Sequence, residues 1–275
     1  SKNKFKSALL MLASNFLILL LLAGLFIATR AWPVKAREGG SLSTGEDSFL
    51  NGNQTFTVGT YNIHRAKGVD GQKDLGRIAA VIGDCDIVAL QEVEGTRIFR
   101  WRDQAALLST ILQRVGHFTP TRKLLFFPQR GNALVSTYSI KTWGTTPLFP
   151  SSGRAHRNFS VYQFCSPGGS FHIVNTHLSK PSEGERPLEA VMQAFKRYPR
   201  AILMGDFNAP TSHPSMTRLI PGDAVDALSS IENDTRRVDM ILVRGLVVEK
   251  AWSTPIGPSD HPFFAARIRF NTSEN

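Results

Sequence analysis

Cysteine is scarce in this sequence, and its spacing excludes one class of site. Only Cys85 and Cys165 are present among 275 residues. The clustered cysteine pairs of structural zinc sites are therefore missing. In an exported domain these two cysteines could form a disulfide, but two cysteines need not face each other in a fold, so the sequence leaves their pairing open.

Three signatures of common hydrolases are also missing. The sequence contains no GxxxxGK loop, no GxSxG turn and no HExxH pair. The first binds nucleoside triphosphates, the second carries the nucleophile of serine hydrolases, and the third binds zinc in peptidases. These absences argue against nucleoside-triphosphate hydrolysis, serine acyl transfer and zinc peptidase chemistry.

Acidic residues are outnumbered by basic ones. The net charge is +10, and seven of these surplus positive charges lie after residue 53. Such a surplus suits a polyanion such as nucleic acid, or an anionic membrane surface, although a solvated basic surface gives the same count. With 42% hydrophobic and 20% charged residues, the chain has enough apolar surface for one sizeable core.

An uncharged, apolar run covers Ser7 to Thr29, and about 20 such residues suffice to cross a bilayer as a helix. Basic residues flank both ends (Lys2, Lys4 and Lys6; Arg30, Lys35 and Arg37), so the charge bias gives little information on orientation. Two interpretations compete. We favour a single-pass anchor that comprises residues 1–34. The alternative is a signal peptide cleaved after "VKA" at Val34 to Ala36. Both place the folded part outside the cytoplasm, as a secreted protein if cleavage occurs.

The remaining chain divides into a short linker and one domain. Residues 35–54 are rich in Gly, Ser and Asn and are expected to form a flexible linker. From residue 55 to 275 the pattern alternates between strand-like and helix-like segments. Strands are predicted at 55–63, 86–93, 131–140, 158–164, 170–178, 201–207, 236–243 and 262–270, and helices at 73–83, 101–115 and 185–198. This pattern predicts an α/β fold of mixed sheets covered by helices.

Polar residues stand where the predicted strands end. "AILMGDFNAP" (residues 201–210) is a buried-strand pattern that turns abruptly into an acid and an amide. Similar polar ends follow "TYNIH", "LQE" and "NTHL", and "SDH" precedes the last strand. One such end is ordinary turn chemistry. Five or six of them in one domain predict a shared acidic, histidine-lined pocket, because burying an unpaired carboxylate is costly.

The donor types in this pocket indicate its chemistry. Carboxylate and amide oxygens without thiolates suit a hard cation, Mg²⁺ or Mn²⁺, rather than zinc. Histidines beside such a cation can hold a phosphoryl group or move protons. A metal ion, a base for water and donors for developing charge together perform phosphate-ester hydrolysis.

With these motifs in this order, the sequence resembles the endonuclease/exonuclease/phosphatase family. "TYNIH", "LQEV", "GNALVS", "NTHL", "GDFNAP", "RVDMILV" and "SDHPFF" carry the resemblance over about residues 55–270. The family includes deoxyribonuclease I-like nucleases, AP endonucleases, neutral sphingomyelinases and inositol polyphosphate phosphatases. The resemblance implies a four-layer α/β/β/α sandwich of two mixed sheets, here preceded by one hydrophobic N-terminal helix, with the active site where the sheet edges meet.

The resemblance also implies catalytic roles. Asp206 would orient or deprotonate the attacking water, and Asn208 would help to hold the phosphate. His261 would act as a catalytic histidine oriented by Asp239. His177 would contact the phosphate, as in the deoxyribonuclease I and sphingomyelinase branches.

Metal and substrate roles follow in the same way. Glu92 resembles the principal Mg²⁺ ligand, with Asn62 near the metal or the phosphate and Asp260 assisting the metal or the histidine. From the residues themselves, Asn132 in "GNALVS" is expected to support the pocket by hydrogen bonding. Arg154 in "RAHRN" is either part of a phosphate-steering patch or of a solvated loop.

The sequence departs from one branch of the family. AP endonucleases typically have a tyrosine where this chain has His177, and an acid where it has His64. A dedicated role in abasic-site repair is therefore not expected.

Three functions remain open at the level of sequence. The first is a monomeric Mg²⁺-dependent phosphodiesterase acting on nucleic acid or another phosphodiester, tethered to a membrane by its N-terminal helix. The second is a membrane-associated hydrolase of phospholipids or phosphoinositides, and the third is a non-catalytic anchored binding module. Fold alone does not choose the substrate.

Overall fold

Fourteen β-strands and five α-helices make up the regular structure of the residues that the computed structural model describes, which are 2–45, 48–50, 55–97, 99–150, 155–166, 168–231 and 236–271. The helices are α1 (Lys2–Thr29), α2 (Leu75–Ile82), α3 (Gln104–Leu112), α4 (Arg186–Lys196) and α5 (Pro214–Leu219). The strands are β1 (Ala31–Pro33), β2 (Arg37–Gly39), β3 (Thr55–Asn62), β4 (Ile87–Glu94), β5 (Val115–Leu124), β6 (Phe127–Ser136), β7 (Thr142–Leu148), β8 (Arg157–Ser166), β9 (Gly169–His177), β10 (Ala201–Asp206), β11 (Val225–Asp226), β12 (Asp239–Arg244), β13 (Leu246–Thr254) and β14 (Phe263–Phe270).

The strands form two sheets of seven. The first sheet has the order β1-β5-β6-β4-β3-β14-β13, and the second has the order β11-β12-β10-β9-β8-β7-β2. Strands β3 and β4 pair in parallel, as do β9 and β10, whereas their other neighbours pair antiparallel. Both sheets are therefore mixed, which confirms the prediction.

Apolar side chains fill three layers between the sheets and helices. Between the two sheets, Phe56 and Phe171 lie with ring centroids 5.1 Å apart in a fully buried cluster. On the outer face of the first sheet, α2 and α3 bury Ile78 and Leu108. On the outer face of the second sheet, α4 buries Phe195. The predicted four-layer α/β/β/α sandwich is confirmed.

Local capping sets the ends of α3, which is shorter than the helix predicted over residues 101–115. The side chain of Asp103 accepts a hydrogen bond of 2.8 Å from the amide of Ala106, so Asp103 is the N-cap. Gln113 has φ 54° and ends the helix in the left-handed region. Trp101 therefore lies outside the helix and is exposed.

Three long strands are absent from the sequence prediction. β5 contains Pro120 and basic residues, and its burial pattern alternates weakly. β7 and β13 carry few consecutive buried side chains. The apolar signal of these strands is weak because each has a large share of its side chains facing solvent.

The N-terminal helix has the length and composition of a membrane-crossing segment. Its apolar part, Phe5–Thr29, has a mean hydropathy of 2.5, and none of it is buried against the domain. Because a signal sequence has the same properties, the helix could be a membrane span or a signal sequence.

The segment after α1 differs from the expected flexible linker. Strand β1 pairs with β5 in the first sheet, β2 pairs with β7 in the second, and Leu42 forms a bridge with Ile140. Leu50 is buried in the core between the sheets. Backbone pairing thus joins to the domain both residues 31–33, which were expected in the anchor, and residues 37–42, which were expected in the linker; the division into an anchor, a linker and a domain stays a prediction.

The cysteines do not form a disulfide. Both are free. Cys85 lies beneath the first sheet, where burial raises the pKa of its thiol to about 12.

Buried amides hold the two sheets in register near the polar strand ends. The Asn175 side chain donates to the carbonyl oxygen of Ala133 at 2.8 Å and accepts from the Gln91 amide at 3.0 Å. Asn175 and Gln91 are fully buried. Since unpaired buried polar groups are costly, these bonds favour a single alignment of β9 against β4.

We expect Asn175→Ala to lower the free energy of unfolding by about 2–3 kcal/mol, because it leaves the Ala133 carbonyl and the Gln91 amide buried without a partner. Urea denaturation of the detergent-solubilised chain, followed by circular dichroism, measures this change. The matched control is Gln163→Ala, which removes a partly exposed amide bonded to Thr142 and Ser170. Equal losses in the two variants would contradict a registering role for Asn175.

Candidate active site

The carboxylate of Asp206 lies at the centre of the polar cluster. It is 2% exposed, and four groups surround it. Its Oδ2 accepts a hydrogen bond from the Asn62 amide at 3.0 Å and lies 3.3 Å from Nε2 of His177 and 3.8 Å from Nε2 of His261. Its Oδ1 accepts from the backbone amide of Asn208 at 2.9 Å. Residues from both sheets therefore converge on one buried acid.

Strand register produces this convergence. In the second sheet, Asp206 is directly opposite His177 on β9 and Asp239 on β12, so three strands end at the same level. In the first sheet, Asn62 is the last residue of β3 and is opposite Gln91 on β4. Because the two sheets pack face to face, the amide of Asn62 reaches Asp206 on the other sheet.

A glycine allows β10 to approach β9 at this point. Gly205 has φ 153°, and a Cβ atom there would lie 2.0 Å from the carbonyl oxygen of Thr176. Only glycine fits this position without displacing backbone. The Gly-Asp order in "GDFN" thus places Asp206 against His177.

His261 and Asp239 form a close ion pair. Nδ1 of His261 lies 2.8 Å from Oδ2 of Asp239. Burial lowers the pKa of His261, but the hydrogen bond and the charge of Asp239 outweigh this effect, and the pKa rises to about 9. At neutral pH His261 is therefore a cation held in place by a carboxylate.

The other two titratable groups behave differently. Burial, and then the charge of Asp239, raise the pKa of Asp206 to about 6. Burial, and then the charge of Arg157, hold the pKa of His177 well below its usual value of 6.5. Nε2 of the neutral His177 ring lies 3.3 Å from Oδ2 of Asp206 and 3.3 Å from the side-chain nitrogen of Asn208, whose amide also donates to the carbonyl of Leu178 at 2.8 Å.

Glu92 projects from an irregular position in β4. The pairing of β4 with β6 shifts between Leu90 and Val93, and Glu92 has φ 53°. A left-handed conformation of a non-glycine residue costs roughly 1–3 kcal/mol and concentrates at functional sites. Asn208, beside Asp206, has φ 50°. Both backbone irregularities fall on residues of the polar cluster.

A small cleft of about 70 Å³ adjoins the cluster. Glu92, Asn132 and His177 line it together with Arg130, whose guanidinium is 3.5 Å from the Glu92 carboxylate. Asn132 donates to the side chain of Asn158 at 2.9 Å, which fixes its orientation. The cleft thus brings the expected metal ligand, the expected supporting amide and a histidine onto one surface.

Asp260 lies apart from the central group. Its carboxylate is 3.4 Å from Nδ1 of His64 and is about half exposed. The preceding Ser259 donates to the backbone carbonyl of Asn62 at 2.6 Å and joins the "SDH" turn to β3. Arg154 lies outside the described residues.

The residues at the site fit a divalent metal ion. Asp206, Asp239 and His261 each offer a ligand atom, and these atoms lie within 4.8 Å of one another. Oδ1 of Asp239 is buried and has no hydrogen-bond partner among the described residues. Oxygen and imidazole donors without thiolates suit a hard or borderline cation. The sequence singled out Glu92, Asn62 and Asp260 as ligands; the geometric cluster consists instead of Asp206, Asp239 and His261, which were expected to act in catalysis.

Sequence reasoning missed Arg130, which lines the cleft and directly precedes the "GNALVS" motif. His156 and Arg157 also line the cleft, and Asn158 fixes Asn132. These three residues belong to "RAHRN", the stretch interpreted as a phosphate-steering patch or a solvated loop. A basic residue next to a motif is the signal that could have identified Arg130.

The family model described as "Endonuclease/Exonuclease/phosphatase family" matches residues 59–261. An endonuclease/exonuclease/phosphatase from Beutenbergia cavernae is similar in structure, with 21% identity over 79% of this chain and 72% of that chain and a TM-score of 0.66. A family protein from Leptotrichia buccalis has 18% identity over 78% and 100% of the two chains and a TM-score of 0.64. Truncated TDP2 from Caenorhabditis elegans has 15% identity over 78% and 97% and a TM-score of 0.58.

No curated protein matches this chain in sequence. At these identities the structural likenesses show the fold, whereas the family match covers every polar motif from Asn62 to His261. Members of the family are phosphoric ester hydrolases that use divalent metal ions. The fold, the motif order and the extent of the match agree: this chain belongs to the endonuclease/exonuclease/phosphatase family and is a phosphoric ester hydrolase.

Proposed function

We propose that the protein is a Mg²⁺-dependent phosphodiesterase of the nuclease-like type, which cleaves a phosphate diester by attack of water. The observation that carries the proposal is the buried Asp206 carboxylate, which contacts Asn62, His177 and His261 at 3.0 to 3.8 Å. An isolated buried acid is costly, so this arrangement is favourable only where its charge is used or compensated.

The proposed roles follow from protonation state. Asp206 is largely ionised at neutral pH, because its pKa is about 6, and acts as the group that orients or deprotonates water. His261, cationic and oriented by Asp239, stabilises negative charge on the phosphoryl oxygens. His177 and Asn208, which also contact Asp206, hold the phosphate by hydrogen bonds.

The proposed metal-binding residues are Glu92 and Asn62, with Asp260 assisting. Glu92 lies in the cleft with a partly exposed carboxylate, which leaves it accessible to an ion. A bound Mg²⁺ supplies positive charge to the phosphate oxygens and lowers the pKa of water. The chemistry of the donors is equally compatible with Mn²⁺.

The charge around the cleft supports a phosphodiester substrate with a polyanionic backbone. Arg130, His156 and Arg157 line the cleft, and the chain carries a net charge of +10. Guanidinium groups bind phosphate with two parallel hydrogen bonds. Nucleic acid is therefore the proposed substrate class, with Asn132 and Arg154 as supporting residues and the catalytic domain acting as a monomer.

A second candidate is a membrane-associated hydrolase of phospholipids or phosphoinositides. Helix α1 favours it, because the helix is long enough to span a bilayer and leads directly into β1 at the edge of the first sheet. We propose a single-pass anchor with the catalytic domain on the extracytoplasmic side.

Mutations should separate metal binding from catalysis. We expect Glu92→Gln to weaken Mg²⁺ binding at least tenfold, or about 1.4 kcal/mol, in calorimetric titration. We expect His261→Ala to lower kcat by ~10²–10⁴-fold, because it removes the cation at the reacting phosphate, and to weaken Mg²⁺ binding less than Glu92→Gln does, because the protonated ring of His261 is bonded to Asp239. The control is Glu249→Gln, which changes an exposed acid on β13 that pairs with Arg269 on β14. Unchanged Mg²⁺ affinity in Glu92→Gln would overturn the assignment of that residue.

The protonation of His261 gives a test that needs no substrate. In the metal-free chain with chelator, we expect its ring signals in NMR to titrate near pH 9. Since this pKa lies above the usual 6.5, the pair with Asp239 stabilises the fold fully below about pH 6.5, and this contribution is lost as pH rises through about 9.

Asp239→Asn should lower the pKa of His261, because the bonded carboxylate is removed and burial is then opposed only by the charges of Asp206 and Asp260. His117, whose pKa burial lowers to about 4, is the internal control and should stay neutral in both proteins. A His261 titration that does not move in Asp239→Asn would show that Asp239 does not hold the proton on the ring.

The substrate class can be decided by a panel. With Mg²⁺ present, we expect the full chain in detergent to nick plasmid DNA or cleave RNA, and this activity should disappear with chelator and in Asp206→Asn. Release of phosphocholine from sphingomyelin, or of inorganic phosphate from inositol phosphates, without cleavage of nucleic acid would select the second candidate.

A further inference from the structure

Four large apolar side chains project into solvent near the cleft. Phe99 and Trp101 lie between β4 and α3, and Leu125 and Phe126 form the turn between β5 and β6. The exposed fractions are 98% for Phe99, 75% for Trp101 and 89% for Phe126. The Trp101 ring lies 6.0 Å from that of Phe127, which joins the two segments. We call these four residues the aromatic patch.

The aromatic patch lies beside the end of helix α1. Strand β1 begins two residues after the helix, and its first residue, Ala31, is opposite Leu124 on β5. Leu124 directly precedes the Leu125–Phe126 turn. Backbone pairing therefore places the turn next to the residue at which α1 ends.

Residues that line the cleft belong to, or bond to, the same segments. From the turn, β6 runs through Phe127 to Arg130, which lines the cleft with Glu92. On the opposite wall, the ring of His156 hydrogen-bonds to the backbone of Ala31. Short, paired segments thus connect the helix end, the patch and the cleft.

The surroundings of the patch carry positive charge. Residues 30–37, 97–102 and 122–130 each contain three Lys or Arg and no Asp or Glu. Arg97 and Arg100 are engaged by the buried Glu94. Lys123, next to the turn, is exposed and faces Trp32 in the register of β1 and β5.

From this juxtaposition we infer that the aromatic patch inserts into the headgroup region of the bilayer that α1 spans, so that the cleft opens toward an anionic lipid surface. Aromatic side chains favour the membrane interface, and basic residues beside them are attracted by anionic lipids. The turn that carries Phe126 is paired with the segment that directly follows α1. The helix therefore already holds the turn near the bilayer, and insertion of Phe126 costs little additional conformational entropy. This inference concerns how the domain is oriented and does not depend on which phosphodiester is cleaved.

Site-specific labelling tests the insertion directly. The full chain, carrying Cys165→Ser, is reconstituted into phosphatidylcholine vesicles that contain phosphatidylserine; Cys85 is buried and does not compete for label. Phe126→Cys carries an environment-sensitive fluorophore, and the matched control is Val225→Cys. Val225 is also exposed but lies on β11. This strand forms one edge of the second sheet, and β2, which follows β1 in the chain, forms the other edge.

The lipids carry a quencher near the headgroup end of the acyl chain, which is the depth that the inserted side chain reaches. We therefore expect the fluorescence emission at position 126 to fall about twofold or more. No such loss is expected at position 225. Equal quenching at the two positions, or none at 126, would overturn the inference. A chain released from the vesicles by alkaline extraction would overturn it as well, since α1 would then not span the bilayer.

Charge provides an independent check. In the labelled Phe126→Cys chain, Lys123→Glu should reduce quenching in vesicles with phosphatidylserine and have little effect in phosphatidylcholine alone. Lys141→Glu, an exposed lysine outside the three basic segments, should change neither. If position 126 becomes protected only when a soluble protein partner is added, the patch is a protein interface and the membrane assignment is wrong.

Discussion

The hydrogen bond from Asn62 to Asp206 is the contact on which the site depends, because it joins the polar ends of two separate sheets. Without it, Asp206 and its neighbours on β9 and β12 would, among the described residues, meet the first sheet at the site only through His261, which precedes β14. The amide of Asn62 brings the first sheet, with Glu92 on the adjacent strand β4, to that edge. The alignment of the sheets deeper in the core, through Gln91 and Asn175, therefore affects the distance between Glu92 and Asp206.

The site separates its charges by environment. Two carboxylates and two histidines lie within a few ångströms, yet His261 is driven toward the cation and His177 toward the neutral ring. The difference arises from their surroundings: Asp239 bonds directly to His261, whereas His177 is more deeply buried and lies near the charge of Arg157. The same side chain can thus be a cation at one position and a neutral hydrogen-bonding group at another.

Sequence reasoning recovers the strands whose apolar runs end in polar residues, and with them the two mixed sheets and the strand-end positions of Asn62 and Asp206. It fails where few side chains of a strand are fully buried, as in β5, and where pairing overrides composition, as in β1 within the expected anchor and β2 within the expected linker. The cation beside Glu92 also escapes it, because Arg130 becomes a neighbour only through the β4–β6 pairing. Local pattern identifies which side chains are unusual, but register determines which of them meet.

The pairing of β1 with β5 has a consequence for processing of the chain. A protease that cut after Ala36 would remove β1 together with the helix and leave the backbone donors and acceptors of β5 open at the margin of the first sheet. Such an unprotected margin recruits strands from other molecules and promotes aggregation. Retaining the amino-terminal segment thus covers this margin in the mature protein, in addition to any role in tethering.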